Sequence, residues 1–137
     1  MRFELFVNFD GDCEQALELY SKVFGSEASD IMRYSDAPET SGYTPADSDR
    51  NRIMFSSLKI GGVSVMFSDA PSDGGFVRGN NIIPTISSDS KDDITRMFNQ
   101  LKEGGKVHME LMATFWTELF GMVEDKFGVI WQFSYSE

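Results

Sequence analysis

Phe3, Leu5, Val7 and Phe9 alternate with Arg2, Glu4, Phe6, Asn8 and Asp10. This period of two predicts a strand with one buried face. Phe6 interrupts the polar side, so the second face is expected to be only partly solvated. The period then changes. Ala16, Leu17, Tyr20, Val23 and Phe24 share one helical stripe. Asp12 stands where a cap belongs, Gln15 where its capping-box partner would be, and Gly25 where the helix should end. A short strand is predicted over 31–34 and a long polar loop over 36–50, with Pro38, Gly42 and Pro45 inside it. Strands over 53–60 and 63–67 flank Gly61-Gly62, a two-residue hairpin signal.

The same order returns after the Gly/Ser/Asp-rich stretch 69–79. A strand is predicted over 82–87, with Pro84 arguing for an edge or a bulge. Ser90 should cap a second helix whose stripe is Ile94, Met97, Phe98 and Leu101, with Gly104-Gly105 ending it. Val107, Met109 and Leu111 alternate with Lys106, His108 and Glu110 in a half-exposed strand. Two final strands are predicted over 117–123 and 129–133. The order is therefore strand, helix, three strands, twice. Gly62 to Ser68 matches Gly128 to Ser134 at four of seven positions, offset by 66, while the helices align at offset 77. The 36–50 loop accounts for the difference of 11 residues.

Composition narrows the function classes. At 137 residues the chain has the length of one domain, and 41% hydrophobic with 25% charged residues is ordinary for a globular protein. Its net charge of −10, with no Lys/Arg-rich window, argues against nucleic acid or an anionic membrane as partner. One cysteine, Cys13, excludes an intramolecular disulfide and fits a reducing compartment, and no stretch is apolar enough to span a bilayer. The expected location is the cytoplasm. Twelve Phe and eight Met suggest an adaptable apolar interior or pocket.

Several local motifs resemble the PhnB-like branch of the vicinal oxygen chelate superfamily, which includes glyoxalases, bleomycin-resistance proteins and dioxygenases. They are Phe9-Asp10-Gly11 with Glu14, Ala16 and Tyr20 to Gly25; Ile31-Met32-Arg33-Tyr34-Ser35-Asp36-Ala37-Pro38; and Ile60-Gly61-Gly62, Met66 and Ser68-Asp69-Ala70-Pro71. The most specific block runs from Gly104-Gly105-Lys106-Val107 through Leu111, Phe115-Trp116, Phe120-Gly121, Asp125, Phe127-Gly128 and Trp131. The resemblance covers nearly the whole chain. It implies an α+β fold, a single glyoxalase-like domain over 1–137. Two βαβββ modules, about 1–70 and 80–137, would be joined by a linker at 71–79. Their curved mixed sheet would form a cup, and the protein would pair as a homodimer.

Many relatives hold a divalent metal in the cup with His and Glu from four strands. Carried onto this chain, those positions fall at Leu5 or Phe6, Val65 or Met66, Ile82 or Ile83, and Gln132, of which only Gln132 offers a plausible oxygen. Where relatives show a histidine after Ile-Met of the third strand, this chain has Phe55. A stable site needs three or four converging N, O or S ligands. His108 shares a face with Glu110 but no third ligand is visible, so no cofactor is expected and a divalent metal is disfavoured. Relatives are also labelled 3-demethylubiquinone methyltransferases. An S-adenosylmethionine site usually needs a glycine-rich loop after the first parallel strand of a doubly wound sheet, and neither Gly61-Gly62 nor Gly74-Gly75 is so placed.

Other chemistry is thin. Cys13 at a helix N-terminus could have its thiol pKa lowered, though a small semi-buried role is the plainer one. Glu118 and Asp125 are candidate catalytic carboxylates, though a turn residue bonding its own loop is the plainer role for Asp125. What remains is an aromatic cup. Its candidate ligand-binding residues are Phe6, Asn8, Phe55, Met66, Phe115, Trp116, Glu118, Phe120 and Gln132, with Trp131 expected in the core opposite its repeat partner Val65. The sequence reads as a small-organic-molecule binder without a catalytic metal. Two alternatives stand beside it: a metal-dependent glyoxalase, lyase or dioxygenase-type enzyme with atypical ligands, and a bleomycin-resistance-like protein that sequesters a drug.

Overall fold

A computed structural model describes residues 1–137, the side chain of Glu39 excepted. The chain forms two compact units, Met1–Val77 and Arg78–Glu137. The N-terminal unit runs β1 (Leu5–Phe9), α1 (Cys13–Phe24), β2 (Ser29–Arg33), β3 (Ile53–Ile60) and β4 (Val63–Asp69). Short 3₁₀ turns at Tyr34–Asp36, Glu39–Ser41 and Asp47–Asp49 occupy the predicted loop. The C-terminal unit runs β5 (Thr85–Ser88), α2 (Lys91–Lys102), β6 (Lys106–Met112), β7 (Phe120–Glu124) and β8 (Ile130–Tyr135). Each unit holds one four-stranded mixed sheet, ordered β1-β4-β3-β2 and β5-β8-β7-β6, with the first strand parallel to the last and the other pairs antiparallel. The repeat read from the sequence is a repeat of topology: two βαβββ units in an α+β fold.

Both helical stripes pack as their spacing requires. Ala16, Leu17, Tyr20 and Val23 of α1 are buried, as are Ile94, Met97, Phe98 and Leu101 of α2. Against α1 lie Phe9, Leu58, Val65 and Phe67, with the Tyr20 and Phe67 ring centres 5.6 Å apart. Against α2 lies Phe133, whose ring meets Phe98 edge-on at 6.2 Å. Gly121 lies beneath α2, where an added Cβ would come within 3.1 Å of the Phe98 ring. Burying a side chain of this size stabilises by about 1.5–3 kcal/mol, so the stripes carry much of each unit's stability.

Several expectations shift. The strand predicted over 31–34 begins at Ser29, because β2 reaches β3 at the Ser29–Ser57 pair before its register slips. The strand predicted over 82–87 begins only at Thr85: Pro84 has no N–H for a ladder and enters the sheet through its carbonyl, which accepts from Gln132 N–H at 3.0 Å. The strand predicted from 117 begins at Phe120, since Thr114 and Thr117 close a turn through Thr114 N–H to Thr117 C=O at 2.9 Å. The strand predicted over 129–133 runs Ile130–Tyr135, its last residues pairing with β5 and β7. Phe3, expected on the buried face of the first strand, lies outside β1 and is exposed.

Gly61 and Gly62 have φ of 56° and 83°, the paired positive values that a two-residue I′ turn demands.

Helix capping divides the units. Ser90 Oγ accepts from Asp93 N–H at 3.1 Å, the predicted cap. Asp12, with φ −110° and ψ 18°, is not in the extended conformation that swings a cap side chain over the first turn, and it makes no cap hydrogen bond. Gln15 therefore has no capping-box partner. Asp69 at the end of β4 serves instead, its Oδ1 accepting from Gly11 N–H at 2.8 Å and Cys13 N–H at 3.0 Å.

Candidate functional site

The period of two in β1, β3 and β4 places alternate side chains away from α1. Register joins Phe6 to Met66 and Met66 to Ser57, and Asn8 to Ser68, while Phe55 faces Met32 on β2. The helix-free face of this sheet is thus built from Phe6, Met66 and Ser57 in one row and Asn8, Ser68 and Phe55 in the next. Phe6 is 47% exposed, and Phe55 and Met66 are half-buried. The buried Ser68 hydroxyl donates to Asn8 Oδ1 at 2.6 Å, which turns the Asn8 NH₂ outward with no partner among the described residues. Apolar and sulfur surface around a fixed pair of amide donors is the usual make-up of a small-molecule wall. Four of the nine sequence-predicted binding residues, Phe6, Asn8, Phe55 and Met66, come together here.

The other five belong to the C-terminal unit and do not form one group. Phe120 and Gln132 face away from α2, on the side of the sheet that also carries Met122, which pairs with Gln132. Phe120 is buried, with Trp116 edge-on to it at 5.2 Å. Phe115 and Trp116, 97% and 55% exposed, stand on the turn before β7. Glu118 is exposed and pairs with Lys91 at the start of α2. Trp131 is in the core at 3% exposure, with Val65 at the matching place in the N-terminal sheet.

The candidate reactive groups resolve plainly. Cys13 is fully buried, and its thiol pKa is pushed up to about 12, first by burial and then by the charge of Asp69. It is a core thiol, as the plainer sequence reading expects, and burial outweighs any helix-end activation. Asp125 is a buried turn residue: its Oδ1 accepts from Phe127 and Val129 N–H at 2.9 and 3.1 Å, and its Oδ2 from Trp131 Nε1 at 2.9 Å. Both oxygens are occupied by structural donors. His108, on the polar face of β6, lies 3.7 Å from Glu124.

Neither group implied by the relatives fits these residues. Phe6, Val65, Met66 and Ile83 offer no hard ligand at the metal positions, and no cluster of three or more His, Cys, Asp or Glu residues is placed for a metal among the described residues. An S-adenosylmethionine site after the first strand fits no better. Asp69 takes the Gly11 and Cys13 amides at the head of α1, and Gly61-Gly62 turns an antiparallel hairpin.

One feature escaped the sequence. A polar cleft of about 610 Å³ is lined by Gly11, Glu14, Gln15, Arg33, Ser48, Asn51, Arg52 and Asp69. Arg33 grips Glu14 with two nitrogens at 2.9 and 3.1 Å and donates to Asn51 C=O at 2.7 Å. The Arg33 guanidinium holds the Glu14 carboxyl below its ordinary range. Arg52 pairs with Asp10 and Asp49 at 3.1 and 3.3 Å and donates to Ala70 C=O. Both guanidiniums are thus committed to carboxylates: Arg33 to Glu14 of α1, and Arg52 to Asp10 after β1 and Asp49 of the loop. Arg33, Asp10 and Asp69 sit in recognisable motifs, but Arg33 and Glu14 are 19 residues apart and Arg52 and Asp10 are 42 apart, which gives no local signal.

A family model described as 3-demethylubiquinone-9 3-methyltransferase matches residues 2–134. Protein YjdN of Escherichia coli is 29% identical, with 92% of this chain and 89% of that protein aligned. The crystal structure of protein PA1353 from Pseudomonas aeruginosa is 32% identical with a TM-score of 0.89, covering 99% of this chain and 98% of the other. The PhnB protein from Bacillus cereus shares the fold at 22% identity and a TM-score of 0.80, covering 99% of this chain and all 100% of its own. No helix is long and apolar enough to cross a membrane among the described residues. The chain belongs to the 3-demethylubiquinone-9 3-methyltransferase family.

Proposed function

We propose that this chain is a cytoplasmic, homodimeric protein that binds a small organic molecule on the helix-free face of its N-terminal sheet, without a catalytic metal. One observation carries the reading: Phe6, Phe55 and Met66 surround an Asn8 amide whose oxygen is held by Ser68, on a face that α1 does not cover. The aromatic rings and the thioether supply dispersion and apolar area, and the fixed amide supplies direction. A carbonyl, carboxyl or similar oxygen of the ligand would meet the Asn8 NH₂. The residues on this face contain no activated nucleophile, which favours binding over covalent chemistry.

The test is ¹H–¹⁵N chemical-shift mapping with a panel of small aromatic compounds. Shifts centred on Phe6, Asn8, Phe55 and Met66, reduced by Phe55→Ala, are the expected result. Shifts centred on Phe115 and Trp116 with the N-terminal face silent would overturn the reading.

A further inference from the structure

The helix-free face of the N-terminal sheet carries a second polar group, at the edge opposite Asn8. Asp30 in β2 is the one non-glycine position with positive φ among the described residues, at 55°. L-residues seldom adopt that conformation, and it warrants a search for a role. The register between β2 and β3 slips between Ser29 and Met32, a bulge of the kind that re-aims side chains. Here it brings Asp30 Oδ2 to 3.4 Å from both the Ser29 and the Ser57 hydroxyls, which are themselves 3.0 Å apart. Ser57 lies on the helix-free face beside Met66 and two residues from Phe55. The carboxylate has no ion-pair partner among the described residues; Lys59, on the same face, forms none with it.

We infer that Asp30, with the Ser29 and Ser57 hydroxyls, forms an ammonium subsite, so the ligand of this face carries a protonated amine on an apolar body. The inference rests on the reading of this face as a ligand wall and specifies its ligand's charge. An ammonium brings three donors, and a carboxylate flanked by two hydroxyl oxygens supplies the acceptors. Phe55, Met32 and Met66 offer the ring face and sulfur that favour a neighbouring cation and its apolar stem. The net charge of −10 draws a cation toward the protein from a distance. Asn8 and Asp30 stand on the two outer strands, three strand spacings apart, roughly 14 Å at ~4.8 Å each. A compound that reaches both has an oxygen acceptor at one end and the amine at the other.

The experiment titrates the whole protein with 4-phenylbutylammonium and with 4-phenylbutyrate, a pair of similar size and opposite charge, followed by ¹H–¹⁵N spectra. The cation should shift the amides of Ser29, Asp30, Phe55 and Ser57 and bind at least about threefold tighter than the anion, a gap that narrows with salt. Asp30→Asn should abolish that preference with a native spectrum, because asparagine tolerates positive φ. The wild-type preference is read without the variant. Equal binding of the two at this face, tighter binding of the anion, or a preference that survives Asp30→Asn would overturn the ammonium subsite and leave the ligand wall standing. Shifts confined to other surfaces, or none with either compound, would overturn both.

Discussion

Two buried aspartates, one in each unit, show how the same topology is anchored in different ways. Asp69 and Asp125 are each 2% exposed, and each spends both carboxylate oxygens on N–H donors. Asp125 serves its own turn: Phe127, Val129 and Trp131 all lie within six residues. Asp69 instead ties distant segments, taking Gly11 ahead of α1 and Cys13 at its start on one oxygen and Ile53 at the start of β3 on the other, at 2.9 Å. The Tyr34 hydroxyl adds a bond to its backbone carbonyl at 2.8 Å. One carboxylate staples a hairpin. The other holds β1, α1, β3 and β4 in mutual register, and so sets the rows of the helix-free face.

That contrast has measurable consequences. Asp69→Ala should be the most damaging change, since three backbone amides from separate segments, two of them buried, lose their acceptor; urea denaturation should show a loss of about 4 kcal/mol. A loss under about 1 kcal/mol would mean that water replaces the clamp. Asp125→Ala should cost less, about 2 kcal/mol in the same assay, because its three donors lie within six residues and only one turn loses its tie, whereas Asp69 joins segments up to 58 residues apart. If Asp125→Ala proves the costlier of the two, the ranking of clamp over staple is wrong. The helix caps sharpen the same point. Ser90→Ala should remove about 1 kcal/mol, whereas Asp12→Ala should be neutral or slightly stabilising, because Asp12 Oδ1 is buried without a hydrogen-bond partner among the described residues.

The smallest effect belongs to Glu14. Its carboxyl lies below the ordinary value of 4.5 because Arg33 grips the charged form. The folded pKa is depressed, so the pair's stabilisation is present above 4.5 and fades as pH falls through the lower folded value. At neutral pH, Glu14→Gln should cost about 0.5 kcal/mol, as an exposed pair does, and should flatten the acid limb of the stability profile.

Locality decides what the sequence discloses. Ser90 with Asp93, Gly61 with Gly62, and the two helical stripes are interactions within a few residues, and each is legible from spacing. So is the helix-free face, because strict alternation in β1, β3 and β4 assigns Phe6, Asn8, Phe55 and Met66 to one side. Asp12 looks like a cap by the same local rule. It fails because Asp69, 56 residues beyond Cys13, already fills that role. The cleft of Arg33 and Arg52 is hidden for the same reason. Asp30 is hidden differently: a bulge has no pattern of its own, and within β2 an aspartate reads as an ordinary solvated strand residue. Phe115 and Trp116 match the family's motif, yet the Thr114–Thr117 turn, which motif matching does not describe, places them on the surface.

Native mass spectrometry of the purified protein, before and after exhaustive chelation, tests the central claim most directly. The account predicts a dimer carrying a small organic adduct, with a mass that chelation leaves unchanged. A chelator-sensitive mass near one metal per chain, with no organic adduct, would contradict it.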